Sequence, residues 1–561
     1  MSQNFDTIIV GGGVAGCVLA NRLSARSSRS VLLLEAGQDT PPGREPEDVL
    51  DTYATSYYND DYFWPGLKVH WRRKDNSPLN SMSQGRIMGG GSSVMGMVAY
   101  RGTPDDYAEW ESLGCKGFGW NDVLPFYRKL ENDFDFGGDQ HGKDGPIPIR
   151  RTKKEDWAPL SSAVQHFAEE RQMPFLADMN ADFRDGYGVV PQSNWPDKRA
   201  SAAICYLDAQ VRARNNLTIM NGAHVTSFTF DGRRATGVKV RIGGEEKAFS
   251  AREVICSLGG IHSPAFLMRM GIGPAAHLRE HGIEVRADMP GVGQNLSNHA
   301  VTFLGMLQKP GMRQSERIRP HAMTCFRYST GLQGAPRTDM YINVQCKTSW
   351  SPLGQQVANL GPTLLKPMSR GQVSLKSADA PEPMVEFNFL GHDLDLKRFM
   401  QAFRMSVEVL AHEKVRAMIS HTFPVKFDDR LRQLNRRNAK NKIQSAIVAK
   451  LIDLMPPLAG PIFSTLADRR VDLATLVQDD DALADHLRQN IAGTFHPVGT
   501  CRMSADANDR DAVTDTEGRV RGFEGLRVID ASIMPTVPRG NTNIPTTMVA
   551  EKIAAAIDAA A

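Results

Sequence analysis

The sequence lacks the clustered or paired cysteines of a disulfide framework. Its seven cysteines are spread singly along 561 residues, and none has the CxxC spacing of a metal or redox site. We therefore expect reduced thiols, no bound metal ion and a cytoplasmic protein. The amino-terminal residues show no basic stretch followed by an apolar one, so we also expect no secretory signal.

The sequence also lacks a long apolar run and an excess of charge of one sign. No stretch approaches the ~20 apolar residues that a membrane-spanning helix needs. Lys and Arg number 66 against 63 Asp and Glu, and a formal net charge of +3 is too small for a nucleic-acid-binding surface. We expect no nucleic-acid partner, and the length predicts two associated domains.

A nucleotide-binding pattern stands near the amino terminus. A β-branched run at 7–10 leads into a glycine turn and then into a helical pattern. Three glycines of the turn have the spacing that brings a backbone close to a pyrophosphate at a helix start: Gly11, Gly13 and Gly16. A second strand-like run at 30–34 ends at Glu35, where a carboxylate can bind ribose hydroxyls. The pattern predicts a dinucleotide site, and a glycine-rich turn of another α/β protein is the alternative.

A second glycine-rich stretch at 84–93 has backbone donors for a pyrophosphate or for the edge of a flavin ring. A nicotinamide enzyme needs no such second loop. Taken by itself, the stretch is equally compatible with a flexible surface loop.

A histidine and an amide follow near the carboxyl terminus. His496 stands in TFHPVGT, and Asn541 and Asn543 stand in NTN. A histidine that accepts a proton beside an amide that orients a hydroxyl group suits the oxidation of an alcohol by a flavin. A lone histidine is more often structural, and an Asn-Thr-Asn run also suits a turn or a helix start.

Together these blocks resemble the glucose-methanol-choline (GMC) family of FAD-dependent oxidoreductases. Six blocks occur in the family's order along nearly the whole chain: 85–102, 259–273, 290–296, 369–373, 496–500 and 530–543. The stretches 62–65 and 92–95 look most like the bacterial alcohol oxidase subgroup that includes hydroxymethylfurfural oxidase.

The resemblance implies a mixed α/β fold. It implies a Rossmann-like FAD-binding domain interleaved with a substrate domain, which is a mixed sheet flanked by helices. We assign 1–155, 200–300 and 486–561 to the FAD domain, and 156–199 and 301–485 to the substrate domain. Strand patterns stand at 339–344 and 372–376, and 216–220 and 236–241 bracket a hairpin-type turn at 231–233.

The resemblance also implies the site. His496 is expected to be the base and Asn541 the residue that orients the substrate hydroxyl. The residues expected to contact FAD are Gly11, Gly13, Val14, Gly16, Glu35, Ala36, Trp71, Arg86, Gly89, Ser93, Val94, Met95, Val225, Pro497, Asp530, Ala531 and Asn543. For Trp71, a core aromatic residue is an equally good interpretation. A helix expected at 546–556 would point its amino terminus at the flavin.

Three positions depart from the family pattern. Members with covalent flavin have a histidine where this chain has Val94, so we expect non-covalent FAD. Met95 stands where many members have an asparagine. Asn298 replaces the usual aspartate before His299, which we expect to be structural.

The resemblance implies oxidation of a primary alcohol to the aldehyde, with hydride transfer to flavin N5. Aromatic and benzylic alcohols are among the candidates, and oxygen or a quinone-type acceptor then takes the electrons. A non-redox lyase or a light-driven decarboxylase on the same scaffold is the alternative.

The segment 426–470 does not follow the family pattern. It is basic at first and then carries apolar residues at helical spacing, which predicts an amphipathic helix. It is either a solvated excursion over the substrate domain, or a segment that gates substrate access, or a membrane-surface contact through 430–465 that would make the protein peripheral.

Overall fold

The computed structural model describes residues 4–425, 429–463 and 472–560. Its strands form five sheets, of which a seven-stranded sheet carries the nucleotide-binding pattern. The parallel part of this sheet contains, in spatial order, Leu217–Met220, Val31–Leu34, Asn4–Val10 and Glu245–Cys256, with Leu526–Val528 beside the last strand. Two antiparallel strands extend the edge: Arg234–Ile242 and Ala223–Asp231.

The carboxyl ends of the parallel strands meet at one edge of this sheet. Gly11, Glu35, Ser257 and Asp530 each follow a parallel strand by one or two residues. All four line one cavity. The predicted strand, glycine turn and helix are confirmed, and they place the nucleotide pattern at the sheet edge where α/β proteins bind ligands.

A nine-stranded sheet forms the second layer. Its main path is Ile419–Pro424, Leu304–Gln308, Val357–Leu364, Met340–Gln345, Ala322–Tyr328, Gly186–Val189 and Phe175–Leu176, and Ala300–Val301 links Val357–Leu364 to Ala492–Gly493. Neighbours are antiparallel except for the last pair of the path. The strand predicted at 339–344 is therefore confirmed. The mixed α/β prediction is also confirmed.

Three small sheets complete the strands. The first contains Gln372–Ser374, Met384–Glu386, Lys68–His70 and Leu79–Ser81. The second contains Glu131–Asp133, Ile147–Arg150 and Gln192–Ser193, and the third contains Ile272–Gly273 and Ala287–Asp288.

Helices cover the two large sheets. The longer ones are Val14–Leu23, Pro104–Ser112, Trp120–Leu130, Pro159–Glu170, Gly259–Arg269, Asp393–Ala411, Ala439–Leu454, Asp480–Asn490 and Asn543–Ala559. The shorter α-helices are Glu47–Leu50, Gly91–Val94, Ala202–Tyr206, Ala209–Arg212, Ala275–Glu280, Pro352–Gln356, Glu413–Arg416, Asp429–Leu434, Ala459–Phe463 and Leu473–Leu476. Turns of 3-10 helix occupy Thr55–Tyr58, Asp60–Tyr62, Lys154–Asp156, Pro456–Leu458 and Ala531–Ile533.

The hairpin differs from its prediction in one strand. The turn at 231–233 is present, but the strand before it is Ala223–Asp231. The predicted strand at 216–220 belongs to the parallel part, where Leu217–Met220 pairs with Val31–Leu34. Both runs precede the turn and have strand-forming residues, so sequence alone did not separate them. The carboxyl-terminal helix is also longer than predicted and begins at Asn543.

The first and last long helices pack against each other. Arg22 of Val14–Leu23 pairs with the buried Glu551 of Asn543–Ala559 at 2.6 Å, and Arg29 pairs with Asp558. The sheet edge at Gly11 is thereby joined to the segment that contains Asn541.

Part of the segment 426–470 lies outside the described residues, namely 426–428 and 464–470. The helix predicted in this segment is present as Ala439–Leu454, with Ala449 and Ile452 buried, but the apolar residues at helical spacing do not form a buried face. The helix packs on Pro352–Gln356, where the amide of Leu353 donates to Ser445 Oγ at 2.8 Å. The side chains of Ile443 and Ile447 on this helix are 60% and 62% exposed.

Several basic side chains before this helix form ion pairs. Arg436 pairs with Asp60, and Arg437 pairs with the buried Asp48 at 3.1 Å. These arginines therefore hold the segment to the residues around 47–60.

No helix in the described ranges has the length and apolar character to cross a bilayer. All seven cysteines are free, and six of them are buried. The division into two domains at the boundaries given above stays a prediction.

Candidate active site

A cavity of about 1470 Å³ lies between the carboxyl edge of the parallel strands and the nine-stranded sheet. Most of the predicted site residues line it: Gly11, Gly13, Val14, Glu35, Ala36, Trp71, Met95, Val225, His496, Pro497, Asp530, Ala531, Asn541 and Asn543. The cavity thus brings together residues from both ends of the chain.

The first glycine turn is shaped for close backbone approach. Gly11 has φ +103°, and a Cβ atom at Gly16 would lie 1.9 Å from the Gly11 carbonyl oxygen. At Gly13 a Cβ atom would meet no atom nearer than 3.9 Å, because this residue faces the cavity. Gly13 precedes the helix Val14–Leu23, which has no side-chain cap, so the free amides of its first turn form an anion-binding helix start.

Glu35 lies at the end of its strand, buried in the cavity wall. Its two carboxylate oxygens accept hydrogen bonds from the amides of Gly12 and Gly37, both at 2.8 Å. Burial raises the pKa of this carboxyl group, and the two amide donors oppose the shift. Each oxygen can accept a second hydrogen bond, so ribose hydroxyls can still bind here.

The second glycine-rich stretch packs directly on the first. The amide of Gly89 donates to the Gly12 carbonyl at 2.7 Å. Gly90, Gly91 and Met95 line the cavity beyond this contact. The stretch is therefore largely buried against the first glycine turn, and the alternative of a surface loop is wrong.

Five predicted FAD contacts do not line the cavity: Gly16, Arg86, Gly89, Ser93 and Val94. Ser93 donates to the Met88 carbonyl at 2.7 Å, and Val94 is fully buried in a small apolar cluster. The side chains of Ser93 and Val94 point away from the cavity because of their positions on the short helix Gly91–Val94. They stabilise the glycine-rich stretch on the side remote from the cavity.

Trp71 lines the cavity from within an aromatic cluster, and its contact with adenosine stays a prediction. It stacks on Phe387 and Phe389 with ring centres 5.4 and 6.0 Å away, and it packs on Gly493, close to His496 in the chain. The aromatic residue near Val225 is Trp64, whose ring centre lies 5.7 Å from that of His224.

The carboxyl-terminal blocks close the other side of the cavity. Asp530 accepts hydrogen bonds from the amides of Gly259 and Ser532, at 2.8 and 2.7 Å, and so ties a strand end to the helix Gly259–Arg269. Asn543 begins the last helix, which has no side-chain cap. A second helix start therefore faces the cavity with its positive end.

His496 and Asn541 meet across the cavity wall. Asn541 Nδ2 lies 3.0 Å from His496 Nε2. His496 is half-buried because its ring edge is open to the cavity. Burial lowers the pKa of His496 well below the usual range, and the adjacent His299 lowers it further. The ring is therefore neutral at pH 7 and able to accept a proton.

His299 determines which nitrogen of His496 is free. Its Nε2 lies 3.1 Å from the Pro538 carbonyl and must donate, while burial lowers its pKa to about 4 and keeps the ring neutral. His299 Nδ1 is then an acceptor, and it lies 3.0 Å from His496 Nδ1. We infer that His496 carries its proton on Nδ1. The lone pair is then on Nε2, beside Asn541.

Asn298 and Thr494 hold the loop that contains His496, a role that the sequence did not predict. Asn298 Oδ1 accepts from Thr494 Oγ1 at 3.0 Å and from the amide of His496 at 3.2 Å, while its Nδ2 donates to the Thr494 carbonyl at 2.8 Å. An aspartate could not make the last of these bonds. The only sign of this role in the sequence was the asparagine at position 298, where the family usually has an aspartate.

The residues present fit FAD. The uncapped helix start at Gly13 suits a pyrophosphate, Glu35 suits a ribose, and the second helix start at Asn543 suits the electron-rich end of a flavin. Val94, at the place of a flavin-linking histidine, is fully buried and does not line the cavity.

Comparisons with known proteins agree with this geometry. The chain matches the family GMC oxidoreductase over residues 5–301 and 367–550. It is 39% identical to 5-(hydroxymethyl)furfural oxidase of Methylovorus sp. strain MP688, over 99% of this chain and 98% of that protein. It is 31% identical to oxygen-dependent choline dehydrogenase of Rhizobium meliloti strain 1021, over 98% of this chain and 94% of that protein.

A solved structure shows the same fold. Pyridoxine 4-oxidase from Mesorbium loti superimposes with a TM-score of 0.82 at 24% identity, over 99% of both chains. The chain therefore belongs to the GMC oxidoreductase family, and it is an FAD-dependent enzyme that oxidises CH–OH groups.

Proposed function

We propose that this enzyme oxidises a primary alcohol of the aromatic or furan type to the aldehyde and passes the electrons to oxygen. The contact between His496 Nε2 and Asn541 Nδ2 at the cavity carries the proposal, because it places a base and an orienting donor together. The relative named 5-(hydroxymethyl)furfural oxidase supports the substrate class and the acceptor.

The substrate hydroxyl is bound between His496 and Asn541. Asn541 Nδ2 donates to the hydroxyl oxygen and fixes its direction, and His496 Nε2 accepts the hydroxyl proton. FAD, when bound, supplies the acceptor for the hydrogen and electrons of the alcohol carbon. Thr494 Oγ1 and His299 Nδ1, at 2.9 and 3.0 Å from His496 Nδ1, hold the ring while it is charged.

Apolar and aromatic side chains surround this pair. Tyr57, Phe495, Met95 and Met97 line the cavity, with the rings of Tyr57 and Phe495 5.5 Å apart, while Trp64 lines it beside His224. A flat ring packs well in such surroundings and excludes water from the base.

We also propose that the segment 429–463 gates access to the cavity. Leu434, Asn435, Gln444 and Val448 of this segment line it. Because Arg436 and Arg437 form ion pairs with the protein itself, less of their charge is available to an anionic membrane. Membrane contact through 430–465 stays a prediction, as does the oligomeric state.

The acceptor is tested by admitting air to enzyme whose flavin has been reduced with benzyl alcohol. We expect the absorbance of oxidised flavin to return within seconds and hydrogen peroxide to form in equal amount. Slow return in air, together with fast turnover on a quinone or a dye, would make the enzyme a dehydrogenase. Turnover of a substrate without flavin bleaching would indicate a lyase.

The His299→Gln variant tests the proton assignment of His496. We expect the rate of flavin reduction to fall at least about tenfold, because the partner that selects the tautomer is lost. We also expect the acidic limb of the pH–rate profile to move, because the side chain that contacts His496 Nδ1 and bears on its pKa is replaced. In the wild-type enzyme we expect this limb below the pH range in which an ordinary histidine titrates, because burial lowers the pKa of His496.

The exposed His166 provides the control, and His166→Gln should change neither quantity. A slower His299→Gln enzyme with an unmoved pH profile would mean that His299 serves only packing.

A further inference from the structure

A buried aspartate lies behind the loop that carries Asn541. Asp106 is the third residue of the helix Pro104–Ser112, and its side chain is fully buried. It forms ion pairs with Arg539 at 2.7 Å and with Lys366 at 3.3 Å. Burial alone would raise the pKa of Asp106, but the charges of Lys366 and Arg539 and the nearby amide donors outweigh burial and hold the pKa below its usual range. The group is therefore a carboxylate at pH 7.

This carboxylate is bound to the backbone of the Asn541 loop. Asp106 Oδ2 accepts a hydrogen bond from the amide of Arg539 at 2.8 Å, as well as two from Thr103, the residue before the helix. Asp106 Oδ1 accepts from the Arg539 side chain at 2.7 Å. A carboxylate that accepts from a backbone amide makes a charge-assisted hydrogen bond, which is stronger than one between neutral groups. The position of the amide of Arg539 is thus set by Asp106.

The same peptide unit faces His299 on its other side. The amide of Arg539 and the carbonyl of Pro538 belong to one trans peptide bond, in which N–H and C=O point in opposite directions. The carbonyl accepts from His299 Nε2 at 3.1 Å and from the amide of Gly540 at 2.7 Å. Holding the N–H therefore also fixes the direction of the C=O. Because hydrogen bonds in a chain polarise one another, the carboxylate makes this carbonyl a better acceptor for His299.

The chain of hydrogen bonds ends at the catalytic pair. His299 Nδ1 lies 3.0 Å from His496 Nδ1, and His496 Nε2 lies 3.0 Å from Asn541 Nδ2. The turn at Gly540 leads directly into Asn541 and is closely packed, because a Cβ atom at Gly540 would lie 2.7 Å from Tyr100 Cβ. One carboxylate therefore bears on the base and on the segment that positions its partner.

We propose that Asp106 is a positioning residue that keeps the proton of His299 on Nε2, by way of the Pro538–Arg539 peptide. His299 Nδ1 then accepts from His496 Nδ1, and the lone pair of His496 stays on Nε2, where the substrate hydroxyl binds. The inference rests on the proposed function, because it explains how the base of that reaction is kept in the tautomer it needs. Asp106 does not line the cavity, so it acts only through these neighbours.

The first experiment compares two substitutions of Asp106 that both remove its charge. Asp106→Ala leaves the amide of Arg539 without this acceptor, whereas Asp106→Asn keeps a side-chain oxygen there. We expect the limiting rate of anaerobic flavin reduction by benzyl alcohol to fall about 10- to 100-fold in Asp106→Ala, since a small displacement of a catalytic group costs about that much. Asp106→Asn should recover most of the loss. Equal losses in the two variants would mean that only the charge matters and would overturn the proposal, as would wild-type rates in both.

The matched control is Asp122, the third residue of the helix Trp120–Leu130. Its carboxylate accepts from the amide of Gly119 at 3.2 Å, as Asp106 does from that of Thr103, but Asp122 is exposed and does not line the cavity. Asp122→Ala removes the same kind of bond at the start of a helix, and its flavin should be reduced at the wild-type rate. A loss as large as that of Asp106→Ala would mean that any weakened helix start slows the enzyme, which contradicts the proposal.

The second experiment observes the tautomer in the oxidised enzyme without substrate. In protein with ¹⁵N-labelled histidines, the Nε2–H of His299 should give a proton resonance protected from solvent exchange, and its loss in His299→Gln assigns it. We expect this resonance to move upfield in Asp106→Asn, because a neutral acceptor polarises the Pro538 carbonyl less, and to exchange faster in Asp106→Ala. If Asp106→Ala does not fold, Asp106→Asn decides: a resonance that stays at its wild-type position would overturn the proposal.

The two proposals fail separately, because the resonance is measured without turnover. A wild-type enzyme that does not oxidise an alcohol, yet shows the shifted resonance in Asp106→Asn, would count against the proposed function and support the role of Asp106. An enzyme that oxidises the alcohol while both measurements ignore the substitutions would keep the function and overturn this role.

Discussion

Replacing His496 with alanine is expected to slow the reduction of the flavin by an alcohol about 10²- to 10⁴-fold, the usual contribution of a positioned base. The variant loses the Nε2 acceptor that lies 3.0 Å from Asn541 Nδ2, so a hydroxyl group held by Asn541 loses the base positioned beside it. FAD should stay bound, because His496 is not part of the helix starts and strand ends that suit its phosphates and ribose. The measurement is anaerobic stopped-flow absorbance, together with the flavin content of the purified protein.

A matched variant separates the loss of a base from a general effect of substitution. His166→Ala replaces an exposed histidine far from the cavity lining, and it should reduce its flavin at the wild-type rate. If the flavin of the His496→Ala variant were also reduced at the wild-type rate, a residue other than His496 would have to be the base.

Replacing Gly13 with leucine is expected to abolish FAD binding while the protein still folds. Gly13 has φ −69°, which any residue adopts, and its missing Cβ faces open space. A leucine side chain there occupies the approach to the free amides of the first turn of Val14–Leu23. Loss of two charge-assisted hydrogen bonds, each about 1.5–3 kcal/mol, weakens FAD binding about 100-fold or more.

The measurement is the ratio of flavin to protein after purification, with circular dichroism as the check on folding. Ala25→Leu places the same side chain at an exposed position just beyond the other end of that helix and should retain full flavin. A yellow Gly13→Leu protein with stoichiometric FAD would contradict the placement of the pyrophosphate.

Features that depend on neighbouring residues in the chain could be predicted. The strand, turn and helix around Gly11 follow from β-branched residues, glycine spacing and an apolar helical pattern, and Glu35 follows from the next strand. The pair of His496 and Asn541 was predicted through family resemblance, because no local pattern brings two residues so far apart in the chain into contact. The structure places their side-chain nitrogens 3.0 Å apart.

Features that depend on packing between distant segments could not be predicted. Ser93 and Val94 share a motif with Met95, yet only Met95 lines the cavity, because the direction of each side chain depends on the short helix Gly91–Val94. Lys347 and His321 belong to no motif. They line the cavity just beyond the adjoining ends of Ala322–Tyr328 and Met340–Gln345, and a single sequence does not reveal that these two strands pair.

The contact between the first and last long helices has a consequence for how the enzyme acquires its cofactor. Gly13 and Glu35 leave the ribosome early, but the strand Leu526–Val528 and the helix Asn543–Ala559 that complete the same pocket are synthesised last. A nascent chain therefore has half of a nucleotide site and no means of enclosing a flavin. We therefore expect cofactor capture to be a late step of maturation, after the last helix has packed against the first.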